Sequence, residues 1–194
     1  MFRKCTFPML FILTALCCSA QVKNEKEYRI KIGDFPEKAI QELKEYIKDA
    51  RRIRYFQEVD NNNVSFETKL NIEGNRHSIE FDSIGNLEDV ETVIKKHEVP
   101  SLTLKGVEQY FDSEFTRYRI VKIQRQYPRE AFNSNEEVFN KAFQNHENPD
   151  VNYEIVVAGR KKEGFKDYEV TFNYNGELLN IREFISLAYD HILY

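Results

Sequence analysis

Hydrophobic residues spaced three and four positions apart follow a polar lead-in that covers residues 21–34. This spacing puts the apolar side chains on one side of a helix, so it predicts an amphipathic helix with one buried stripe. Pro36 stands in the expected first turn, and Asp34 is the candidate N-cap. The stripe is predicted to consist of Ala39, Ile40, Leu43, Tyr46 and Ile47.

Beyond Arg52 the apolar period becomes two, which is typical of β-strands with one buried face. The alternation is cleanest over residues 64–73, and a fourth strand is predicted over residues 87–94. Short turns rich in Asn, Asp and Gly separate the strands at residues 60–63, 74–75 and 85–86. Strands joined by such short turns are antiparallel neighbours, so a four-stranded meander is predicted, with the helix covering one face.

Two stretches of the chain repeat one frame of Phe, Gly four positions on, Leu six on, and Val or Ile nine on. The frames cover residues 81–90 and 172–181, and a second helix is predicted over residues 102–115. Further strands are predicted over residues 118–127, 151–158, 165–174 and 177–182. An internal duplication of this kind decides the fold prediction. We expect an α+β fold of two tandem units, residues 28–96 and 101–194, each with one helix packed on a four-stranded antiparallel meander sheet.

The second copy is longer than the first because of an insertion over residues 128–150. Within it, Ser134 followed by Glu137 has the form of a capping box, which marks the start of a helix. The tail, residues 184–193, fits either a terminal helix or a longer last strand. The insertion is predicted to contain a short amphipathic helix with an apolar side formed by Val138, Phe139, Ala142 and Phe143.

Residues 1–20 have the pattern of a signal peptide, with a basic start at Arg3 and Lys4 and an apolar run over residues 7–18. Cleavage is expected between Ala20 and Gln21, which predicts a periplasmic or secreted protein. A retained membrane anchor is one alternative, although the apolar run is short for a bilayer span.

All cysteines of the chain, Cys5, Cys17 and Cys18, lie in this segment. Cleavage therefore leaves a mature chain without a disulfide, a thiol nucleophile or a cysteine metal site. The second alternative to simple cleavage is a lipoprotein that is acylated at Cys17 or Cys18.

The charge balance of the mature chain argues against nucleic acid as a partner. Loss of Arg3 and Lys4 lowers the basic count from 28 to 26 against 32 acidic residues, so the net charge is about −6. An acidic protein is not attracted to nucleic acid or to anionic membrane surfaces. We expect a monomer without membrane contact in the mature form, unless the chain is lipidated.

No sequence motif indicates a metal, a cofactor or a catalytic centre. The histidines have no partner ligand at metal-binding spacing, so all of them are expected at the surface. They are His77, His97, His146 and His191. The turns at residues 60–63 and 82–86 lack the pattern of a calcium loop and are interpreted as hairpin turns. No cofactor, metal site or catalytic residue is predicted, and the protein is expected not to be an enzyme.

Glu58, Glu67 and Glu80 share the solvent side of adjacent predicted strands, which raises paired-carboxylate catalysis as a hypothesis. Such chemistry needs a concave and partly dry site that shifts a pKa. Arg54 and Lys69 lie on the same side of the predicted sheet, so pairing of charges across strands is the simpler interpretation.

Two sets of residues follow a common pattern of a helix start and subsequent strands. In the first unit they are Phe35, Pro36, Ala39, Tyr55, Glu67, Phe81, Asp82, Gly85, Leu87 and Val90. In the second unit they are Val170, Phe172, Gly176, Leu178 and Ile181. In these residues the chain resembles the PepSY-like family. The family is grouped with β-lactamase-inhibitor-like proteins and is common among exported proteins of Bacteroidetes-type bacteria. The resemblance implies open sheet faces that bind protein partners and, for some relatives, inhibition of a peptidase or a β-lactamase.

Two features favour a partner surface. On the open sheet face Phe56 is expected to project among charged residues, and in the insertion Phe139 and Phe143 could anchor a partner. The alternative is that the aromatic residues of the insertion pack back on the core. The sheet-face residues predicted to bind beside Phe56 are Glu67, Lys69 and Glu80.

The function predicted from these features is that of an exported, non-enzymatic protein-binding module with a partner in the cell envelope. Inhibition of a peptidase or of another envelope enzyme is the more specific form of this prediction. An envelope structural or stress-response protein is the alternative, and an enzyme comes third.

Overall fold

A computed structural model describes residues 21–23, 25–61 and 63–184. This part of the chain has an α+β fold, as the sequence predicts, with three α-helices and a ten-stranded sheet. The predicted signal peptide and the tail beyond residue 184 lie outside the described residues. None of the helices in the described part is long and apolar enough to cross a membrane.

The helices and strands follow the predicted pattern closely from residue 36 onward. The helices are α1 (Glu37–Tyr46), α2 (Ser101–Glu114) and α3 (Asn135–Phe143). The strands are β1 (Gln21–Lys23), β2 (Glu25–Ile30), β3 (Arg51–Asp60), β4 (Asn63–Ile72), β5 (Asn75–Asp82), β6 (Leu87–Ile94), β7 (Arg117–Pro128), β8 (Asn152–Lys161), β9 (Gly164–Asn173) and β10 (Leu178–Phe184). The polar lead-in, for which no helix or strand was predicted, forms β1 and β2.

The two predicted meanders are parts of one sheet, and the prediction of two four-stranded sheets is wrong. Strands β6 and β7 pair antiparallel from Asp89 opposite Pro128 to Ile94 opposite Ile123, and this pairing joins the meanders edge to edge. An edge strand has unpaired N–H and C=O groups that require a partner. A pattern of apolar positions predicts the strand but does not identify that partner.

The ends of this sheet meet in the lead-in. Strand β1 pairs parallel with β10, at one end of the strand order, while β2 pairs antiparallel with β3 at the other end. Only residue 24 separates β1 from β2. Two residues of extended chain span at most about 7 Å, so the two ends of the sheet lie side by side. The sheet therefore closes into a ring.

All three helices pack on the same face of the ring. Phe35, just before α1, packs edge-to-face on Phe81 with ring centroids 5.9 Å apart. Phe111 of α2 packs on Phe172 at 5.7 Å, and Phe143 of α3 packs on His77 at 5.1 Å. A closed sheet of this size has an interior that side chains alone fill, so the helices must lie outside it. The apolar core occupies the space between the helices and the outer face.

The repeated Phe-to-Gly frames form two equivalent turns against helix starts. In the first, Asp82 Oδ1 accepts hydrogen bonds from the backbone N–H groups of Ile84 (3.0 Å) and Asn86 (2.8 Å). In the second, Asn173 Oδ1 accepts from Asn175 and Glu177, both at 3.0 Å. Each Gly then lies at positive φ beside the first turns of α1 or α2. The frame is a structural element in both places.

The insertion lies along the outside of the sheet next to α1. Ser134 Oγ accepts a hydrogen bond from the backbone N–H of Glu137 at 3.1 Å, as predicted for the cap of α3. The carboxylate of Glu137 reaches back to Asn133. Phe139 stacks on Tyr46 of α1 with centroids 4.2 Å apart. For α1 itself the N-cap is Pro36, without a side-chain bond, and the prediction of Asp34 is wrong.

Candidate functional site: the charged interior of the sheet

Closure of the sheet turns its predicted solvent face inward. Residues that alternate with the core positions point into the ring. The sequence predicts an open face for Phe56, Glu58, Glu67, Lys69 and Glu80, and this prediction is wrong because the face is enclosed. No helix of the described residues covers this side, and neighbouring strands supply the burial. The charged residues on the inward side include Glu27, Arg29, Arg54, Glu58, Glu67, Lys69, Glu80, Asp89, Glu91, Lys122, Glu154, Glu169 and Arg182.

One cluster of this interior, the lysine triad, consists of Glu27, Glu58 and Glu67 around the ammonium of Lys69. Each carboxylate contributes an oxygen, and these oxygens lie within 4.8 Å of one another. Lys69 Nζ is 2.5 Å from Glu27 Oε2, 2.9 Å from Glu67 Oε2 and 4.8 Å from the ring centroid of Phe56. The triad is thus held together by a cation of the protein itself.

The pKa values in the lysine triad reflect this ion pairing. Burial favours the neutral form of Lys69, but the charges of Glu67 and Glu27 outweigh burial and raise its pKa. Burial likewise favours neutral Glu67, yet Lys69 and a hydrogen bond from Ser78 lower its pKa. Both groups are therefore charged at neutral pH.

A second cluster, the acidic triad, consists of Glu80, Asp89 and Glu91 on β5 and β6. Its carboxylate oxygens also lie within 4.8 Å of one another. Asp89 Oδ2 accepts a hydrogen bond from Gln126 Nε2 at 2.9 Å, and Glu91 accepts one from Gln124 Nε2. Burial raises the pKa of Asp89 and Glu91 well above the usual range, and the charge of Glu154 raises both further. Either protons or another cation must stabilise this cluster.

The predicted aromatic anchors are mostly buried. Phe56 is only 2% exposed and lies under Lys69 inside the ring. Phe139 is fully buried against α1, and Phe143 is half-buried on His77. The structure thus agrees with the alternative that the aromatic residues of the insertion pack on the core. Binding of a partner by these side chains stays a prediction.

His77 is a second departure from the sequence prediction, because it is buried and not at the surface. It is 3% exposed, on the outer face of β5 under α3. His97 and His146 are exposed as predicted, and His191 lies outside the described residues. The position of His77, two residues before Ile79 in the apolar alternation, was the signal for its burial.

Sequence reasoning also missed most of the acidic interior. Asp89, Glu91, Glu154 and Glu169 were not singled out, although each occupies the polar position of an alternating strand. Alternation by itself indicates that such residues face away from the core. It does not distinguish solvent from the inside of a closed sheet.

Comparison with known proteins identifies solved structures with a similar fold. No family model matches the sequence, and no curated protein matches it. Solved structures do match. A DUF2874 family protein from Bacteroides uniformis is 13% identical with a TM-score of 0.50, over 77% of this chain and 89% of that chain. A predicted periplasmic protein from Bacteroides eggerthii is 15% identical with a TM-score of 0.50, over 80% of this chain and 92% of that chain.

The chain shares their fold. A BLIP-like protein from Bacteroides fragilis also matches, with 18% identity and a TM-score of 0.45 over 77% of this chain and 86% of that chain. The predicted resemblance to exported proteins of such bacteria is confirmed at the level of the fold. Membership of the PepSY-like family in particular stays a prediction.

Proposed function

We propose that the chain is an exported, non-enzymatic binding protein that engages a protein partner in the cell envelope. Two observations support export: the signal-like pattern of residues 1–20 and the shared fold with a predicted periplasmic protein. Two tandem units, residues 28–96 and 101–194, remain part of this proposal, since each supplies one helix and one equivalent Gly turn.

The observation that supports a binding role is that two separate turns at one end of the ring carry exposed apolar side chains. Ile84 is 69% exposed in the turn after β5, and Leu179 is 54% exposed at the start of β10. Strands β5 and β9 run in the same direction, so the turns that follow them lie at the same end. Leu102, 62% exposed, adjoins the Thr103 that contacts the turn at Gly176. Large apolar side chains exposed at one end of a fold are candidate contact sites for a partner.

The mode of binding that fits this surface is insertion of a turn into a cleft of the partner. Among the described residues, neither face of the sheet is open for docking, because one face points into the ring and the helices pack on the other. The turn at Ile84 protrudes beyond the strands and is braced by Asp82, so it is preorganised for binding. Occlusion of a peptidase or of another envelope enzyme would follow if the cleft is an active site.

A capture experiment tests the proposal. The chain from Gln21 onward is immobilised and incubated with envelope extract, and bound proteins are quantified by mass spectrometry. We expect Ile84→Asp combined with Leu179→Asp to reduce enrichment of the partner at least tenfold, because charge is placed in the apolar contact. The matched control is Phe165→Asp, since Phe165 is 57% exposed at the opposite end of β9.

The control variant should retain enrichment comparable to that of the unmodified chain. The proposed surface is refuted if no protein is enriched, or if both variants bind the same proteins as the unmodified chain does. Circular dichroism and the midpoint of thermal unfolding show whether each variant is folded.

A further inference from the structure

The two carboxylate triads inside the ring differ in one respect. Each brings three carboxylate oxygens within 4.8 Å of one another. In the lysine triad the ammonium of Lys69 lies among them. In the acidic triad, no Lys or Arg of the described chain forms an ion pair with Asp89 or Glu91. The lysine triad is thus neutralised in part by a side chain of the protein, and the described residues do not pair Asp89 and Glu91 in this way.

Buried oxygens at the acidic triad lack hydrogen-bond partners. Asp89 is 9% exposed, and its Oδ1 is buried without a partner, while Oδ2 is used by Gln126. Gln124 is 4% exposed, and its carbonyl Oε1 is also buried without a partner. Its amide group donates to Glu91, so this second acceptor belongs to the same cluster. Buried acceptors in folded proteins almost always have a donor or a cation as partner.

We propose that Glu80, Asp89 and Glu91 form a binding site for one calcium ion, with Gln124 beside it as a neutral oxygen ligand. Calcium binds carboxylate and amide oxygens at roughly 2.3–2.6 Å, so oxygens on opposite sides of the ion are separated by up to about 5 Å. Oxygens that all lie within 4.8 Å of one another can therefore contact one calcium ion together. Magnesium dehydrates reluctantly and usually keeps several water ligands, so a buried set of protein oxygens suits calcium better.

The burial of the site favours a bare ion over a basic side chain of a partner protein. The unpartnered oxygens are buried within the ring, where a lysine side chain of a folded partner does not reach without opening the strands. The excess of negative charge points in the same direction. The charge of Glu154 acts on both Asp89 and Glu91, and Lys122 is the basic group that acts on Glu91.

Titration with calcium tests the site directly. The chain from Gln21 onward is treated with a chelator, dialysed and titrated with CaCl₂ at neutral pH in an isothermal titration calorimeter. We expect one ion per chain with a dissociation constant of roughly 10⁻⁶–10⁻³ M, and binding of MgCl₂ at least tenfold weaker. Absence of calcium binding up to about 10 mM overturns the proposal, since that is beyond the range of protein calcium sites. Equal affinity for magnesium overturns the assignment to calcium.

Two substitutions of equal size locate the ion. Asp89→Asn removes a charge from the acidic triad and keeps an acceptor for Gln126, and we expect it to weaken calcium binding at least tenfold. Glu58→Gln makes the same change in the lysine triad and should alter the affinity by less than about threefold, because a distant charge in a polar interior is partly screened. Equal losses in the two variants place the ion elsewhere and overturn the proposal.

A third variant tests the proposed calcium site if Asp89→Asn does not fold. Lys69→Met removes the ammonium from the lysine triad and preserves a long apolar stem over Phe56. Glu27, Glu58 and Glu67 are then also three carboxylates whose oxygens lie within 4.8 Å of one another, so we expect the stoichiometry to rise from one calcium ion per chain to two. A folded Lys69→Met chain that still binds only one ion, or none, contradicts the proposal.

Discussion

At the scale of single residues, the hydrogen bonds of His77 determine its protonation state. Thr92 Oγ1 donates its proton to the backbone carbonyl of Ala142 at 3.2 Å. The Nδ1 of His77, 3.0 Å from Thr92 Oγ1, must therefore be the donor of that hydrogen bond. The Nε2 atom is buried without a partner. A second ring proton would have no acceptor, and burial lowers the pKa of His77 to about 4.

This lowered pKa predicts a loss of stability in mild acid. Below about pH 6.5 the unfolded chain binds a proton at His77 that the folded chain does not accept until about pH 4. The free energy of unfolding therefore falls as the pH decreases through this window, by at most about 3 kcal/mol from this group. We expect His77→Asn, which keeps a donor for Thr92, to remove that loss. Urea unfolding of both chains between pH 4 and pH 7.5 measures the difference.

The comparison with the variant is necessary because two carboxylates of the acidic triad change the stability in the opposite direction. The raised pKa values of Asp89 and Glu91 make the folded chain retain protons that the unfolded chain has lost, which adds stability as the pH falls. If the stability of the unmodified chain and of His77→Asn changes in parallel with pH, the proposed protonation state of His77 is wrong.

At the scale of elements, the contact of α2 with the turn between β9 and β10 depends on two glycines. A Cβ added at Gly176 would lie 2.6 Å from the carbonyl oxygen of Thr103, and one added at Gly106 would lie 2.4 Å from the carbonyl oxygen of Gly176. Gly176 also has a φ of +80°, which other residues rarely adopt. The equivalent contact of α1 involves Gly85, at φ +82°. Helix and turn can approach this closely only without side chains.

Replacement of these glycines separates backbone strain from steric overlap. Gly74, at φ +88°, has open space around it, so Gly74→Ala is expected to cost only about 1 kcal/mol of strain. Gly176→Ala adds the overlap with Thr103, which is backbone and cannot rotate away, and should cost at least about 2 kcal/mol more. Chemical denaturation of both variants gives these values. Equal destabilisation by the two substitutions would show that the close helix–turn contact is absent.

The elements themselves were largely predictable from the sequence, because periodicity is a local property. The apolar stripe from Ala39 to Ile47 predicted α1, and Ser134 predicted the start of α3 together with its N-cap. The lead-in was not recognised as a strand. In β2 the side chains of Tyr28 and Ile30 alternate with the charged Glu27 and Arg29, and a strand whose inward face is charged does not have the usual apolar pattern.

At the scale of the whole molecule, a short pairing closes the sheet. Three residue pairs link β1 to β10: Gln21 with Arg182, Val22 with Glu183, and Lys23 with Phe184. Without them the strands would form an open sheet with a free polar face, which is the arrangement the sequence predicts. With them, that face becomes an enclosed interior and its carboxylates become buried.

A disulfide between β1 and β10 tests whether the sheet is closed. Val22→Cys and Glu183→Cys are introduced into the chain from Gln21 onward, which has no cysteine of its own. Paired residues on neighbouring strands have Cα atoms roughly 5 Å apart, within the range that a disulfide bridges. We expect oxidation to give an intramolecular disulfide, detected as a faster band on a non-reducing gel and as a mass loss of two protons.

The control for this disulfide combines Val22→Cys with Thr171→Cys, because Thr171 lies on β9 and is not paired with β1. This pair should remain reduced or form only disulfides between molecules. A closed sheet would be contradicted if the intramolecular disulfide forms efficiently in the control, or if it does not form between Cys residues introduced at Val22 and Glu183.

The sequence by itself determined the α+β class, the helices, the meander strands and the Gly turns, since each depends on residues that are close along the chain. It also determined which residues of each strand share a face. The tertiary structure decided which of the two faces is enclosed. That depends on contacts between residues 21–23 and 182–184, which are far apart in sequence and have no apolar pattern to indicate them. The same contacts turn a predicted surface of paired charges into a buried acidic interior.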